Sequence, residues 1–217
     1  MDALPPGQTA APLAPFGLPA FAARRPRVPD LPVVTVTGAV RRPAQLPAAE
    51  LTGLGRAETR AGLHCVTTWS ALGLRWEGVP FAAVHAHLTA HVEPARAARW
   101  VTFTGLDGYR ATLLLADALA PGVLLADALD GAPLTPDHGA PLRLVAPAHY
   151  GYKSVKHVCA IEYRSGYDPG SAGWKAHPRG RVALEERSRY LPGRLYRPLW
   201  RALLPRARTT YDALRTR

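Results

Sequence analysis

The chain has 217 residues, 47% of them apolar, enough for a core and far more than a disordered chain carries. No apolar run approaches the roughly 18–20 residues of a membrane span, and two Cys cannot frame a disulfide scaffold or a Cys-rich zinc module. A formal net charge of +11 suggests nucleic acid, but residues 1–173 hold 15 basic and 13 acidic side chains whereas residues 174–217 hold 12 and 3. The body is therefore almost neutral, the excess sits in a basic tail, and no specific nucleic acid is expected as partner.

Residues 1–32 carry eight Pro and read as an extended arm. Arg24-Arg25 is followed by no apolar stretch, so no export signal is read and a cytoplasmic location is expected. Regular structure starts at the β-branched run 33–40. Residues 46–51 suggest a short helix with Pro in its first turn, and 62–70 a short strand or loop around Cys65. Phe81, Val84, Leu88 and Val92 fall at helical spacing behind Pro80, read as the first helical residue. Residues 100–103 and 109–115 alternate as a hairpin with Asp107-Gly108 at its turn. Segments 123–125 and 141–147 continue the short strands, with a tight turn at Asp130-Gly131. Leu-Leu-Ala-Asp-Ala-Leu occurs at 114–119 and again at 124–129, with nothing repeated beyond it, and is read as coincidence. The fold class is α+β, mainly short strands with peripheral helices. Three segments follow: the arm (1–32), a domain (33–173) and a basic C-terminal extension (174–217).

Three groups of residues could carry chemistry. Cys65 lies in His64-Cys65-Val66-Thr67-Thr68-Trp69-Ser70, among hydroxyl residues, and is either a small buried hydrophobe or a thiolate serving as soft metal ligand or nucleophile. Cys159, between apolar neighbours, reads as core. Arg143 sits inside an apolar strand with no carboxylate near it in sequence, where a charge is costly unless paired. Lys153, Ser154 and Lys156 follow Gly151 and can offer ammonium, hydroxyl and backbone N–H groups to one anion. A solvated basic loop with a distant ion pair is the other reading. His85, His87 and His91 lack the Glu of a helical zinc pair and read as a solvated helix face.

In order and spacing these segments resemble the molybdopterin-binding domain of the sulfite oxidase family, in its haem-free branch related to the catalytic subunit of periplasmic methionine-sulfoxide reductase. The resemblance covers roughly residues 33–175. It rests on Cys65-Val66-x-x-Trp69-Ser70 with Trp76 and Gly78-Val79-Pro80-Phe81, on Val101-Thr102-Phe103 with Asp107-Gly108-Tyr109, and on His138-Gly139 through Arg143 to Gly151-Tyr152-Lys153-Ser154-Val155-Lys156. It implies Cys65 as the protein thiolate on molybdenum, and His138, Arg143, Ser154, Val155 (by its backbone) and Lys156 as holders of the pterin and its phosphate. His138 stands where the reductase branch has Asn, and Val66-Thr67-Thr68 replaces the Asn-Arg-Arg of the sulfite oxidases proper, which argues against sulfite.

The activity implied is oxygen-atom transfer on a small sulfur- or nitrogen-containing oxo compound, with molybdenum-molybdopterin as cofactor. Tyr109, His149 and Tyr150 are candidate pocket residues. A separate electron-transfer partner is expected, because the sequence holds no haem or iron–sulfur motif. Two alternatives remain: a non-catalytic binding protein that keeps the fold, and anionic-surface binding through the tail. In the tail, Pro198 is expected to interrupt a helix and Pro205 to end it. Residues 194–217 either dock on an anionic membrane surface or on an electron-transfer partner or, the favoured reading, lay a Leu/Trp face on their own domain with Arg in water.

Overall fold

The computed structural model describes residues 4–216, except the side chains of Trp174 and Lys175. The arm is extended but not idle. Thr9–Ala10 (β1) pairs in parallel with residues 69–70, a 3-10 turn occupies Pro19–Phe21, and Phe16 meets Trp69 edge-on at 6.1 Å.

Strand β2 (Val33–Gly38) turns Val34 and Val36 fully inward. Residues 44–47, which include the expected start of a helix at Leu46, form strand β3 (Ala44–Pro47) instead, with Leu46 opposite Val34. Pro47, extended at ψ 137°, ends that strand and caps α1 (Ala48–Thr52). Next come β4 (Ala57–Arg60), β5 (Leu63–His64), β6 (Trp69–Ala71) and β7 (Arg75–Pro80). Helix α2 (Phe81–Val92) buries the four apolar residues its spacing predicts, with Pro80 one place earlier than expected, at the N-cap.

Strands β8 (Trp100–Gly105) and β9 (Arg110–Leu114) form the expected hairpin. At its turn Gly108 has φ +81°, and Asp107 Oδ1 accepts the Tyr109 N–H at 2.9 Å. Then α3 (Leu115–Ala118) leads to β10 (Leu124–Leu129). The repeated hexapeptide thus takes two structures: a strand end followed by a helical turn at 114–119, a full strand at 124–129. Long-range pairing decides the difference, because β10 lies between β7 and later strands. The rest are β11 (Ala132–Pro133), β12 (Arg143–Val145), β13 (Val158–Arg164) and α4 (Gly193–Arg215).

One five-stranded sheet has the order β3-β2-β13-β8-β9, parallel only between β2 and β13. A second has the order β11-β10-β7-β4 with β12 also on β10, and β1-β6-β5 form a third. The main core packs α2 against the first two sheets, with Phe81 edge-on to Phe103 at 5.0 Å. A smaller apolar cluster of Trp69, Leu74, Trp76, Leu124, Leu134 and Val145 forms a separate floor.

The tail departs from expectation. Pro198 and Pro205 both lie inside one 23-residue helix. Each removes a single backbone bond, and the seam of Gly193, Trp200, Leu204, Arg208 and Tyr211 holds the helix against the body at helical spacing. Gly193 permits this approach, since a Cβ there would stand 2.0 Å from the Glu185 carbonyl oxygen.

Candidate functional site

Cys65 opens the tight turn between β5 and β6. Its N–H donates to Trp69 O at 2.8 Å and its carbonyl accepts the Thr68 N–H at 3.2 Å, with Thr68 in the left-handed region at φ +78°. The thiol is free, partly buried, and 3.0 Å from the Thr67 hydroxyl. Burial pushes it up, while the Thr67 hydrogen bond and the guanidinium groups of Arg187 and Arg208 pull it down. Cys65 packs against the smaller cluster.

Around this turn lie polar atoms that are buried and make no hydrogen bond among the described residues: Gln8 Oε1, Trp69 Nε1, Tyr150 Oη and Arg187 Nε. Each belongs to a residue tied to the turn. Gln8 Nε2 donates to Cys65 O at 3.1 Å, Arg187 Nη1 donates to Val66 O at 2.7 Å, and Tyr150 bridges His64 under the Arg187 guanidinium. Of the three candidate pocket residues, Tyr150 is thus beside Cys65, its hydroxyl pushed up to about 12 by burial. Tyr109 donates to Tyr152 O at 2.7 Å. His149 faces Asp117 at 3.4 Å, and Asp117 is held low by Arg179 despite its own burial.

The second focus is cationic. Arg143 on β12 is 3% exposed, stacks on Trp76 at 5.1 Å, and donates Nη1 to His138 O at 3.1 Å. Its Nε has no partner, and no carboxylate pairs with it among the described residues; burial brings its pKa to about 10. Lys156 donates to Asp137 O at 2.6 Å and is brought to about 8 by burial and by Arg143. His138 is lowered by burial and by the same two cations. Gly139, at φ +108°, lets the turn close on them: a Cβ there would meet Lys156 Cβ at 3.1 Å and Arg143 Cβ at 3.2 Å. Asp137 is the carboxylate of this group, and Arg215 of α4 takes it at 2.5 Å.

Ser154 lies buried nearby, its Oγ accepting the Ala146 N–H at 3.2 Å. Val155 turns its side chain into the main core, with its N–H on Lys153 O at 3.1 Å and its carbonyl taking the Leu144 N–H at 2.8 Å. Lys153 stands apart from Ser154 and Lys156, its neighbours in the sequence. Its ammonium is buried, donating to Thr112 O at 2.5 Å and Pro178 O at 2.8 Å near the Tyr152 and Tyr167 rings.

Burial lowers Lys153 to about 7 from an ordinary 10.5. The unfolded chain keeps this proton while the folded chain loses it, so stability contributed here rises as pH climbs from about 7 to 10.5. Urea unfolding of wild type and Lys153→Met between those limits should show a shallower rise for the variant; equal slopes would refute the depressed pKa.

The cationic focus and Cys65 share one floor: Arg143 lies on Trp76, and both Trp76 and Cys65 belong to the smaller cluster. Helix α4 crosses over it. Leu204 packs on that cluster, Arg208 stacks on Trp69 at 5.4 Å, and Arg215 reaches Asp137. The extension thereby brings Arg187 and Arg208 to the cysteine. Their sequence separation from Cys65 left no local signal. The helical histidines are engaged separately: His85 with Tyr163, His87 with Glu50, and His91 with the His87 carbonyl.

Residues 26–171 match the family described as oxidoreductase molybdopterin binding domain. The uncharacterized oxidoreductase YuiH of Bacillus subtilis is 36% identical over 62% of this chain and 66% of its own length. The protein-methionine-sulfoxide reductase catalytic subunit MsrP of Xanthomonas campestris is 35% identical over 60% of this chain and 44% of its own length. The chain thus spans about half to two thirds of these relatives. The sulfane dehydrogenase SoxCD of Paracoccus pantotrophus shares the fold, with TM-score 0.56 at 18% identity over 68% of this chain and 41% of its own. A free thiol and a cationic cluster on one apolar floor, within a segment that this family matches, leave one conclusion: the chain belongs to the oxidoreductase molybdopterin-binding domain family, an enzyme family whose cofactor is molybdopterin.

Proposed function

We propose that this chain is a catalytic module for oxygen-atom transfer, with Cys65 ligating molybdenum and a small sulfoxide or related sulfur or nitrogen oxo compound as substrate. The observation that carries it is the Arg143–Lys156 pair: two adjacent cations, both depressed by burial, with no carboxylate hydrogen-bonded to either among the described residues and Asp137 engaged by Arg215. Such a pair fits the phosphate of a pterin, which supplies the missing negative charge and an acceptor for Arg143 Nε. The unpaired Trp69, Tyr150 and Arg187 atoms fit the polar group that Cys65 would anchor. The bound group supplies two-electron oxygen-atom exchange at its metal.

The chain's own residues do the rest. Cys65 offers a thiolate whose charge Arg187 and Arg208 favour. Arg143 and Lys156, with His138 beside them and Ser154 close by, hold the anionic end. Tyr150 and Trp69 set buried side chains beside the cysteine turn. Electrons come from a separate protein partner. The substrate choice follows the methionine-sulfoxide reductase relatives. A cytoplasmic location is part of the same proposal.

The test is purified protein co-expressed with cofactor synthesis, assayed for molybdenum, released pterin and dye-driven sulfoxide reduction. About one molybdenum per chain is expected, and Cys65→Ser should lower turnover at least about a thousandfold while keeping pterin. Cofactor-replete protein without molybdenum, or a fully active Cys65→Ser, overturns the reading in favour of a binding protein that keeps the fold.

A further inference from the structure

Among the described residues nine large apolar side chains are exposed, and six of them crowd into one stretch: Leu184, Tyr190, Leu191, Leu195, Leu199 and Leu203. The last three are 58%, 52% and 40% exposed and recur every four residues, so they form one ridge on α4. The ridge lies outside the seam of Gly193, Trp200, Leu204 and Tyr211 that faces the body. The expected Leu/Trp face therefore divides: Leu204 packs on the body and Trp200 is half-buried, while three leucines remain in water.

Charge accompanies the ridge. From Arg187 to Tyr211 the sequence holds seven Arg and no acidic residue. Two of the seven are committed inward, Arg187 to Val66 O and Arg197 to Glu185, and Arg208 lies on Trp69. Arg194, Arg201 and Arg206 make no ion pair among the described residues. Arg206 continues the leucine ridge one turn past Leu203, while Arg194 and Arg201 line the opposite edge of the exposed face, roughly 140–160° round the helix from the ridge.

We propose that this outer face of α4 docks on an anionic lipid bilayer, with Leu195, Leu199 and Leu203 entering the interface and Arg194, Arg201 and Arg206 meeting lipid phosphates. No described helix is long and apolar enough to cross a membrane, so the helix lies along the surface. A convex ridge of leucines needs no groove to receive it in lipid, whereas a protein partner would have to supply one. Arginines with no acid among them suit a surface of negative charge without fixed positions. The proposal stands independently of the cofactor.

Sedimentation of the full chain with vesicles of phosphatidylcholine, with or without phosphatidylglycerol, tests it. Binding is expected only to the phosphatidylglycerol vesicles. Both a triple Leu195→Ser, Leu199→Ser, Leu203→Ser variant and a triple Arg194→Gln, Arg201→Gln, Arg206→Gln variant should weaken it at least about tenfold. These side chains are exposed, so unchanged thermal midpoints should show that both variants fold. Absence of binding, equal binding to phosphatidylcholine alone, or binding that survives loss of the leucines overturns the proposal. So does equal affinity for poly-glutamate or duplex oligonucleotide, which would assign the face to an acidic protein or to nucleic acid.

Discussion

Arg143→Met should empty the protein of molybdopterin and leave the apo fold as stable as before, or more so. The guanidinium is 3% exposed, lacks a carboxylate among the described residues, and leaves Nε unpaired. Methionine keeps much of the volume over Trp76 and removes a desolvated charge, and such exchanges are neutral or stabilising by about 1–4 kcal/mol. The lost bond to His138 O offsets part of this, at about 1.5–3 kcal/mol. The thermal midpoint of apo-protein should therefore stay within a few degrees of wild type or rise. With cofactor present the sign reverses. Removing one partner of a buried charge pair costs about 3–5 kcal/mol, which is more than about a hundredfold in affinity. Molybdenum per chain and pterin released on oxidation measure this directly. A variant that loses stability yet keeps its cofactor would make Arg143 a structural residue and sink the anion argument.

The need for an anion at Arg143 is legible in the sequence because a lone Arg in Leu142-Arg143-Leu144-Val145 places a charge in an apolar strand, which only a ligand or a distant partner can offset. Helix α2 and the β8–β9 hairpin were equally legible, since their apolar spacing and Asp107-Gly108 turn encode local geometry. Local signals failed where long-range contacts decide. Leu-Leu-Ala-Asp-Ala-Leu carries no information on whether it becomes helix or strand; its neighbours in space do that. Lys153 and Lys156, three residues apart, look equivalent in sequence, yet one ammonium is spent on the carbonyls of Thr112 and Pro178. Pro198 and Pro205 look like breaks, but the packed seam of α4 outweighs two missing backbone bonds. Most consequential is the extension itself. Its charge suggested a segment outside the catalytic body, whereas Arg187 and Arg208 come from it to the Cys65 turn.

Arg187→Leu should accordingly loosen a turn 121 residues away in sequence. The side chain is 2% exposed, donates to Val66 O at 2.7 Å and Pro6 O at 3.2 Å, and stacks on Tyr150 at 5.0 Å. It therefore ties three segments together: the arm, the cysteine turn and the strand-flanking Tyr150. Leucine leaves two carbonyls without their donor, and each charge-assisted bond is worth about 1.5–3 kcal/mol, less the relief of unburying a cation. The loss should be local. Exchange of the Cys65 and Thr68 amides, which close the turn through Trp69 O and Cys65 O, should accelerate at least about tenfold in the variant. Amides of β8 and β13, paired in the central sheet, should keep their protection. Molybdenum occupancy should fall too, although Arg187 lies outside residues 26–171 that define the family match. Unchanged exchange at Cys65 and Thr68 with full occupancy would reduce the extension to a surface attachment. Faster exchange with lost occupancy would make it part of the site, and would give α4 two faces with separate tasks: Arg208 and Leu204 over the cofactor floor, and the leucine ridge turned outward.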